Sequence, residues 1–110
     1  MRLLPFALAA AVLSVTAPPV RADEPTFTLT IRDHRFEPAQ LEVPAGVKFQ
    51  LVVKNLDATA EEFDSKDLKR EKVIAAGKSG IINLGPLNPG TYRYVGEYHE
   101  ATAKGELVAK

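Results

Sequence analysis

The chain has 110 residues, and its 14 Lys and Arg balance 14 Asp and Glu, so its formal net charge is zero. No basic patch stands out, which argues against nucleic acid as a partner. Because the chain has no cysteine, disulfides, a cysteine nucleophile and a thiolate metal ligand are all excluded. The sequence also lacks a Gly-x-Ser-x-Gly motif, a phosphate-binding loop and a His pair at metalloprotease spacing.

Residues 1–22 are predicted to be a secretory signal peptide. Arg2 gives a positive start, the run 3–17 is almost entirely apolar, and the small residue Ala22 precedes two acidic residues. The alternative is a membrane anchor, but this apolar run is shorter than the roughly twenty residues that a spanning helix needs. We therefore expect export, cleavage after Ala22 and a mature domain of residues 23–110 without a membrane span.

The mature chain begins with residues that alternate between apolar and polar, which is the period of a half-buried β-strand. In Thr26–Arg32 the side chains of Phe27, Leu29 and Ile31 share one face. Further strands are predicted, in chain order, at 41–43, 47–54, 79–84, 91–95 and 105–109. Proline and glycine residues separate these segments.

The highly charged stretch from Ala60 to Lys72 has no clear period. Its Phe63 and Leu68 do not recur at helical spacing, so we expect the end of a strand and then a loop with at most one helical turn. The charge run 69–72 within it suits either a solvated loop or an edge that docks a partner. Six or seven short strands at intervals of about ten residues predict an all-β sandwich.

The segment Gly90–Lys110 carries most of the ligand-type side chains. It is predicted to form a strand, a short polar excursion and a closing strand, and the excursion contains Glu97, His99 and Glu100. Carboxylate and imidazole groups suit iron and Cu(II), whereas the soft sulfur donors of a blue-copper site are missing there. Glu97, His99 and Glu100 are therefore candidate metal ligands, and without a thiolate any copper site that they form would be non-blue.

Three parts of the chain together resemble the cupredoxin-like family. Residues 36–38 (FEP) and 41–46 (LEVPAG) are similar to the family's opening pattern, F-x-P-x-x-I-x-V-x-A-G. The strand 49–55 (FQLVVKN) ends in Asn ahead of a ligand position, and the runs 89–92 (PGTY) and 104–105 (KG) flank the metal loop. The resemblance implies a Greek-key β-sandwich of cupredoxin type with about seven strands.

A narrower resemblance is to the periplasmic cupredoxins of bacterial ferrous-iron uptake systems, which include the N-terminal domain of EfeO-type proteins. It is carried by the runs 62–63 (EF), 69–74 (KREKVI), 85–87 (GPL), 97–100 (EYHE) and 103–105 (AKG). This likeness implies a periplasmic protein that binds copper or iron and presents iron to a membrane permease or helps to oxidise it. The partners it implies are a periplasmic iron-binding protein and an inner-membrane iron permease.

The resemblance also implies the metal ligands, which are Glu62, Glu97, His99 and Glu100. Glu97 stands about where the family places a Cys, or in this branch a Glu, and Glu62 stands about where a cupredoxin has its first His. Glu61 and Asp64 are the substitutes if the register is off by one. His34, between the first two strands, is a candidate for a second, outer site or an ordinary surface histidine.

Two other functions fit the same residues. One is a copper chaperone or metal-binding module without turnover, and the other is an interaction domain that kept the sandwich and binds no metal. A small domain with one mononuclear site cannot store the electrons needed to reduce dioxygen to water. We therefore expect a binding protein when the chain is alone, and at most an accessory to iron oxidation.

Overall fold

A computed structural model describes residues 24–110. The predicted signal peptide, residues 1–22, lies outside the described residues. The described part contains nine strands and one 3₁₀ turn. The strands are β1 (Thr26–Arg32), β2 (Arg35–Glu37), β3 (Gln40–Val43), β4 (Phe49–Asn55), β5 (Glu61–Ser65), β6 (Arg70–Ile74), β7 (Ser79–Leu84), β8 (Gly90–Gly96) and β9 (Lys104–Ala109), and the 3₁₀ turn is Glu97–His99.

The strands form two sheets that pack as a Greek-key β-sandwich, as predicted. One sheet has four strands in the order β2-β1-β4-β7, and the other has five in the order β3-β9-β8-β5-β6. β1 pairs with β4, and β3 with β9, in parallel. Within residues 24–110, no helix has the length and apolarity of a membrane-spanning segment.

The core lies between the sheets and follows the period of two in each strand. Leu29 and Ile31 of β1 are fully buried, and so are the alternate residues of β4, which begin at Phe49. Phe36 and Phe63 pack around Tyr94 with ring centroids 5.0 Å away in both cases. These contacts join β2, β5 and β8 across the sandwich, so the core holds in place the strand ends that carry the ligand-type side chains.

The segment from Ala60 to Lys72 contains the expected strand, β5, but the prediction that a loop follows it up to Lys72 is wrong, because a second strand, β6, begins at Arg70 and forms a hairpin with β5. The inward-facing residues of β5 are Glu61, Phe63 and Ser65. Because two of the three are polar, the sequence does not show the alternation of apolar and polar residues that indicates a strand. The Ser65 hydroxyl donates to the Arg93 carbonyl (2.7 Å) and accepts from the Leu68 N–H (3.1 Å). β6 lies at a sheet edge, and all but its last residue are exposed.

The Tyr94 hydroxyl is a polar group buried in the core without a hydrogen-bond partner in the described residues. Burial, together with the negative charge of Glu106, raises the pKa of this hydroxyl well above its ordinary value, so it stays neutral. The ring lies against the backbone of Gly105, where an added Cβ would be 2.5 Å from the Tyr94 Cε2. Gly105 therefore provides the space that Tyr94 fills.

We expect Tyr94→Phe to leave the free energy of unfolding unchanged or to raise it by about 1 kcal/mol, because it removes an unpaired buried hydroxyl. Gly105→Ala should lower it by about 1–3 kcal/mol, because the new methyl group overlaps the ring. Urea denaturation of both variants measures the two effects. A loss of stability in Tyr94→Phe as large as that in Gly105→Ala would mean that the hydroxyl has a partner.

Candidate metal centre

The side chains of Glu61 and Glu62, which are consecutive in β5, point to opposite faces of the five-stranded sheet. Phe63 is fully buried, so its neighbour Glu62 lies on the outer face of the five-stranded sheet, as the strand period predicts. Glu61 points the opposite way and is 1% exposed. Asp64 shares the outer face with Glu62 and pairs in register with Glu71 of β6. The two faces of this strand therefore carry different carboxylates.

Three carboxylates converge on that outer face, and we call them the carboxylate cluster: Glu62, Glu71 and Glu97. One carboxylate oxygen of each lies within 4.8 Å of the others. The sheet order explains the grouping, because β5 lies between β6, which carries Glu71, and β8, which leads into Glu97. In the described part of the chain, no other set of three His, Asp or Glu side chains places its ligand atoms this close.

The cluster concentrates negative charge. Desolvation raises the pKa of the Glu62 carboxyl, and the charge of Glu97 raises it further. The negative charges of Glu71 and Asp64 also raise the pKa of Glu62. A raised carboxyl pKa means that the ionised cluster opposes folding near neutral pH, and that this penalty is lost as the pH falls through the folded-state pKa. A bound cation would offset the same repulsion.

The inward-facing Glu61 makes three hydrogen bonds. Its Oε1 accepts from the backbone N–H groups of Glu62 (3.1 Å) and Tyr98 (3.0 Å). Its Oε2 lies 2.5 Å from Nδ1 of His99, whose side chain is 25% exposed. Both oxygens of this buried carboxylate are therefore satisfied by groups of the protein.

Glu61 also fills the space in front of Gly96, the last residue of β8. A Cβ at Gly96 would lie 2.7 Å from the Glu61 Cδ and 2.6 Å from the Ala103 Cβ. No side chain larger than hydrogen fits there, so position 96 itself cannot carry a metal-ligating side chain. A copper–thiolate bond is excluded by the lack of cysteine.

His34 stacks on His99, with ring centroids 3.5 Å apart and an angle of 12° between the planes. His34 lies in the two-residue turn between β1 and β2, and both turn residues have positive φ, 51° at Asp33 and 56° at His34. The Asp57 carboxylate accepts from both of their backbone N–H groups, at 2.8 and 3.0 Å. Burial raises the pKa of Asp57, but these hydrogen bonds and the nearby imidazoles lower it overall.

The four predicted ligands therefore do not converge on one point. Glu62 and Glu97 meet in the carboxylate cluster, whereas His99 contacts Glu61 and His34. Glu100 is exposed and lines an open cleft of about 590 Å³, together with Asp64 and two members of the cluster. Sequence reasoning missed Glu71 because it treated β6 as a loop, and a hairpin assignment would have placed Glu71 beside Asp64.

Comparison with known proteins shows the family to which the chain belongs. The model of the cupredoxin-like domain matches residues 5–109. The uncharacterized protein RP394 of Rickettsia prowazekii (strain Madrid E) is 45% identical over 80 residues. These are 73% of this chain but only 64% of that relative, so the match spans less than two thirds of the Rickettsia protein.

Solved structures share the fold. Auracyanin A, a "blue" copper protein of the photosynthetic bacterium Chloroflexus aurantiacus, has a TM-score of 0.66 at 15% identity, covering 77% of this chain and 98% of its own. A purple cupredoxin of Nitrosopumilus maritimus has a TM-score of 0.61 at 16% identity, covering 76% and 98%. Identities this low show the fold alone. With the family model matching nearly the whole sequence, the chain belongs to the cupredoxin-like domain family.

Proposed function

We propose that this protein is exported to the periplasm, binds iron or Cu(II) at the carboxylate cluster, and presents the ion to a ferrous-iron uptake system. The observation that carries the proposal is the convergence of Glu62, Glu71 and Glu97, with one carboxylate oxygen of each within 4.8 Å of the others. A bound cation or protons would offset the repulsion among these like charges. The sequence resemblance to cupredoxins of iron uptake supports the choice of ion.

The donor set fits a hard or borderline ion. Three carboxylates suit iron and Cu(II), and they lack the sulfur that Cu(I) and blue-copper sites use. When bound, the ion would supply one-electron redox chemistry. The protein's own contribution is negative charge, which favours the higher oxidation state. Glu71 and Glu97 are exposed, so the ion would be reachable by a partner.

The cleft beside the cluster provides an approach for cations. Asp64, Asp67 and Glu100 line it, with Lys66 and Arg93 as its basic members. Acidic side chains therefore outnumber basic ones on the route to the cluster, and their field would raise the local concentration of metal ions. We assign Glu100 and Asp64 to this attraction and the cluster to binding.

Glu62→Gln should act in opposite directions on stability and binding. It removes repulsion, so the metal-free protein should melt at a higher temperature near pH 7, while Cu²⁺ affinity falls about tenfold or more, the equivalent of about 1.4 kcal/mol. Thermal melts and calorimetric titration measure the two effects. Glu106→Gln, in β9 of the same sheet, is the control and should leave Cu²⁺ affinity near that of the wild type. Unchanged affinity in Glu62→Gln would remove the cluster from the proposal.

Copper titration of the wild-type protein should give only a weak, broad visible band. Intense blue absorption arises from a copper–thiolate bond, and the chain has no thiolate. Visible absorption spectroscopy up to one equivalent of Cu²⁺ tests this. An intense band in the blue-copper region would contradict the assignment of carboxylate ligands.

In cells, deleting the gene should impair growth on limiting ferrous iron, and the wild-type protein should restore it. A Glu62→Gln/Glu71→Gln/Glu97→Gln version should fail to restore iron uptake, because it keeps the size of the side chains and removes their charge. Uptake of radioactive iron, with protein levels checked by immunoblot, provides the comparison. Equal rescue by both versions would favour a metal-free interaction domain.

A further inference from the structure

We propose that Glu61, His99 and His34 are positioning residues that hold the carboxylate cluster together, rather than metal ligands. This inference rests on the proposed function, because it concerns how the cluster is kept in place for binding. It assigns a role to the buried side of β5, whereas binding itself occurs on the outer side.

Oε1 of Glu61 links the two chain segments that carry Glu62 and Glu97. This single oxygen accepts from the N–H of Glu62 (3.1 Å), which belongs to the cluster, and from the N–H of Tyr98 (3.0 Å), which follows the cluster residue Glu97. One buried atom thus joins the two chain segments that must stay together for Glu62 and Glu97 to meet. Hydrogen bonds to a charged acceptor are among the stronger ones in proteins.

The His99 ring also contacts Glu61. Nδ1 of His99 lies 2.5 Å from the other oxygen of Glu61, so this ring nitrogen is occupied by the carboxylate. The carbonyl of His99 accepts from the N–H of Ala103 (2.8 Å), and the carbonyl of Ala103 accepts from the N–H of Gly96 (2.8 Å). The backbone of His99 is therefore part of the closure of the loop between β8 and β9, which carries Glu97, and its imidazole ties this loop to Glu61 of β5.

The imidazole of His99 packs against His34, which is held in place by Asp57. His34 covers the imidazole at 3.5 Å, and the Asp57 carboxylate fixes the backbone of His34. The N–H of Asp57 in turn donates to the side-chain carbonyl of Asn55 (3.0 Å), which is 1% exposed at the end of β4. Contacts thus run without a break from the rigid end of β4 to Glu61.

Conservative substitutions separate positioning from ligation. The Glu61→Gln variant keeps an acceptor oxygen for the two N–H groups, and its amide can pair with the other tautomer of His99. Its Cu²⁺ affinity should therefore stay within about threefold of the wild type. Glu61→Ala removes these contacts and should weaken Cu²⁺ affinity about tenfold or more. His34→Phe preserves a flat ring over His99 and should retain affinity, whereas His34→Ala should lower it. Calorimetric titration measures all four, and circular dichroism confirms folding. If Glu61→Gln weakens binding as much as Glu62→Gln does, Glu61 is a ligand and the inference fails.

A measurement on the unaltered protein guards against variants that fail to fold. Pulsed electron paramagnetic resonance of the wild type with one equivalent of Cu²⁺ should show no coupling to an imidazole nitrogen, because the carboxylate cluster supplies the ligands. Imidazole coupling would overturn the positioning role of His99 while leaving metal binding intact. Failure of the proposed function gives a different result, because Cu²⁺ affinity would then be insensitive to Glu62→Gln.

Discussion

The hydrogen-bonded carboxylate of Glu61 is the interaction on which this end of the sandwich depends. Moving a carboxylate out of water costs several kcal/mol, and the cost is tolerated only where good hydrogen bonds replace the solvent. Two backbone N–H groups and the His99 ring provide them. Because the same carboxylate occupies the space in front of Gly96, it also requires a residue without a side chain at that position. Loop closure and packing therefore follow from one buried charge.

The inward-facing carboxylate of Glu61 affects where a metal ion could bind. The three carboxylates of the carboxylate cluster lie on the outer face of the five-stranded sheet, where Glu71 and Glu97 are exposed. Solvent screens charges at such a site and water can reach a bound ion. An exposed, oxygen-rich site suits an ion that is taken up and handed on more than one that is retained to carry electrons.

The sequence was sufficient to predict the strands whose inward-facing residues are apolar. β1 and β7 have the predicted bounds because their buried positions alternate without interruption. β5 is predicted only as the end of a strand, because Glu61 and Ser65 are buried polar residues, which are favourable only through partners that are distant in sequence. His99 is 38 residues from Glu61, and no local pattern reports such a pair. Glu62 and Glu97 could be named from the family likeness, whereas Glu71 depended on strand register.

The strand period also explains why consecutive residues of β5 have opposite roles. Successive side chains point to opposite faces, so a shift of one residue would exchange Glu61 with Glu62 and bring Phe63 to the solvent. Phe63 packs against Phe36 and Tyr94, so the aromatic core fixes the register of the whole strand. The hydrophobic effect thus decides which glutamate is buried and hydrogen-bonded and which one remains on the surface in the carboxylate cluster.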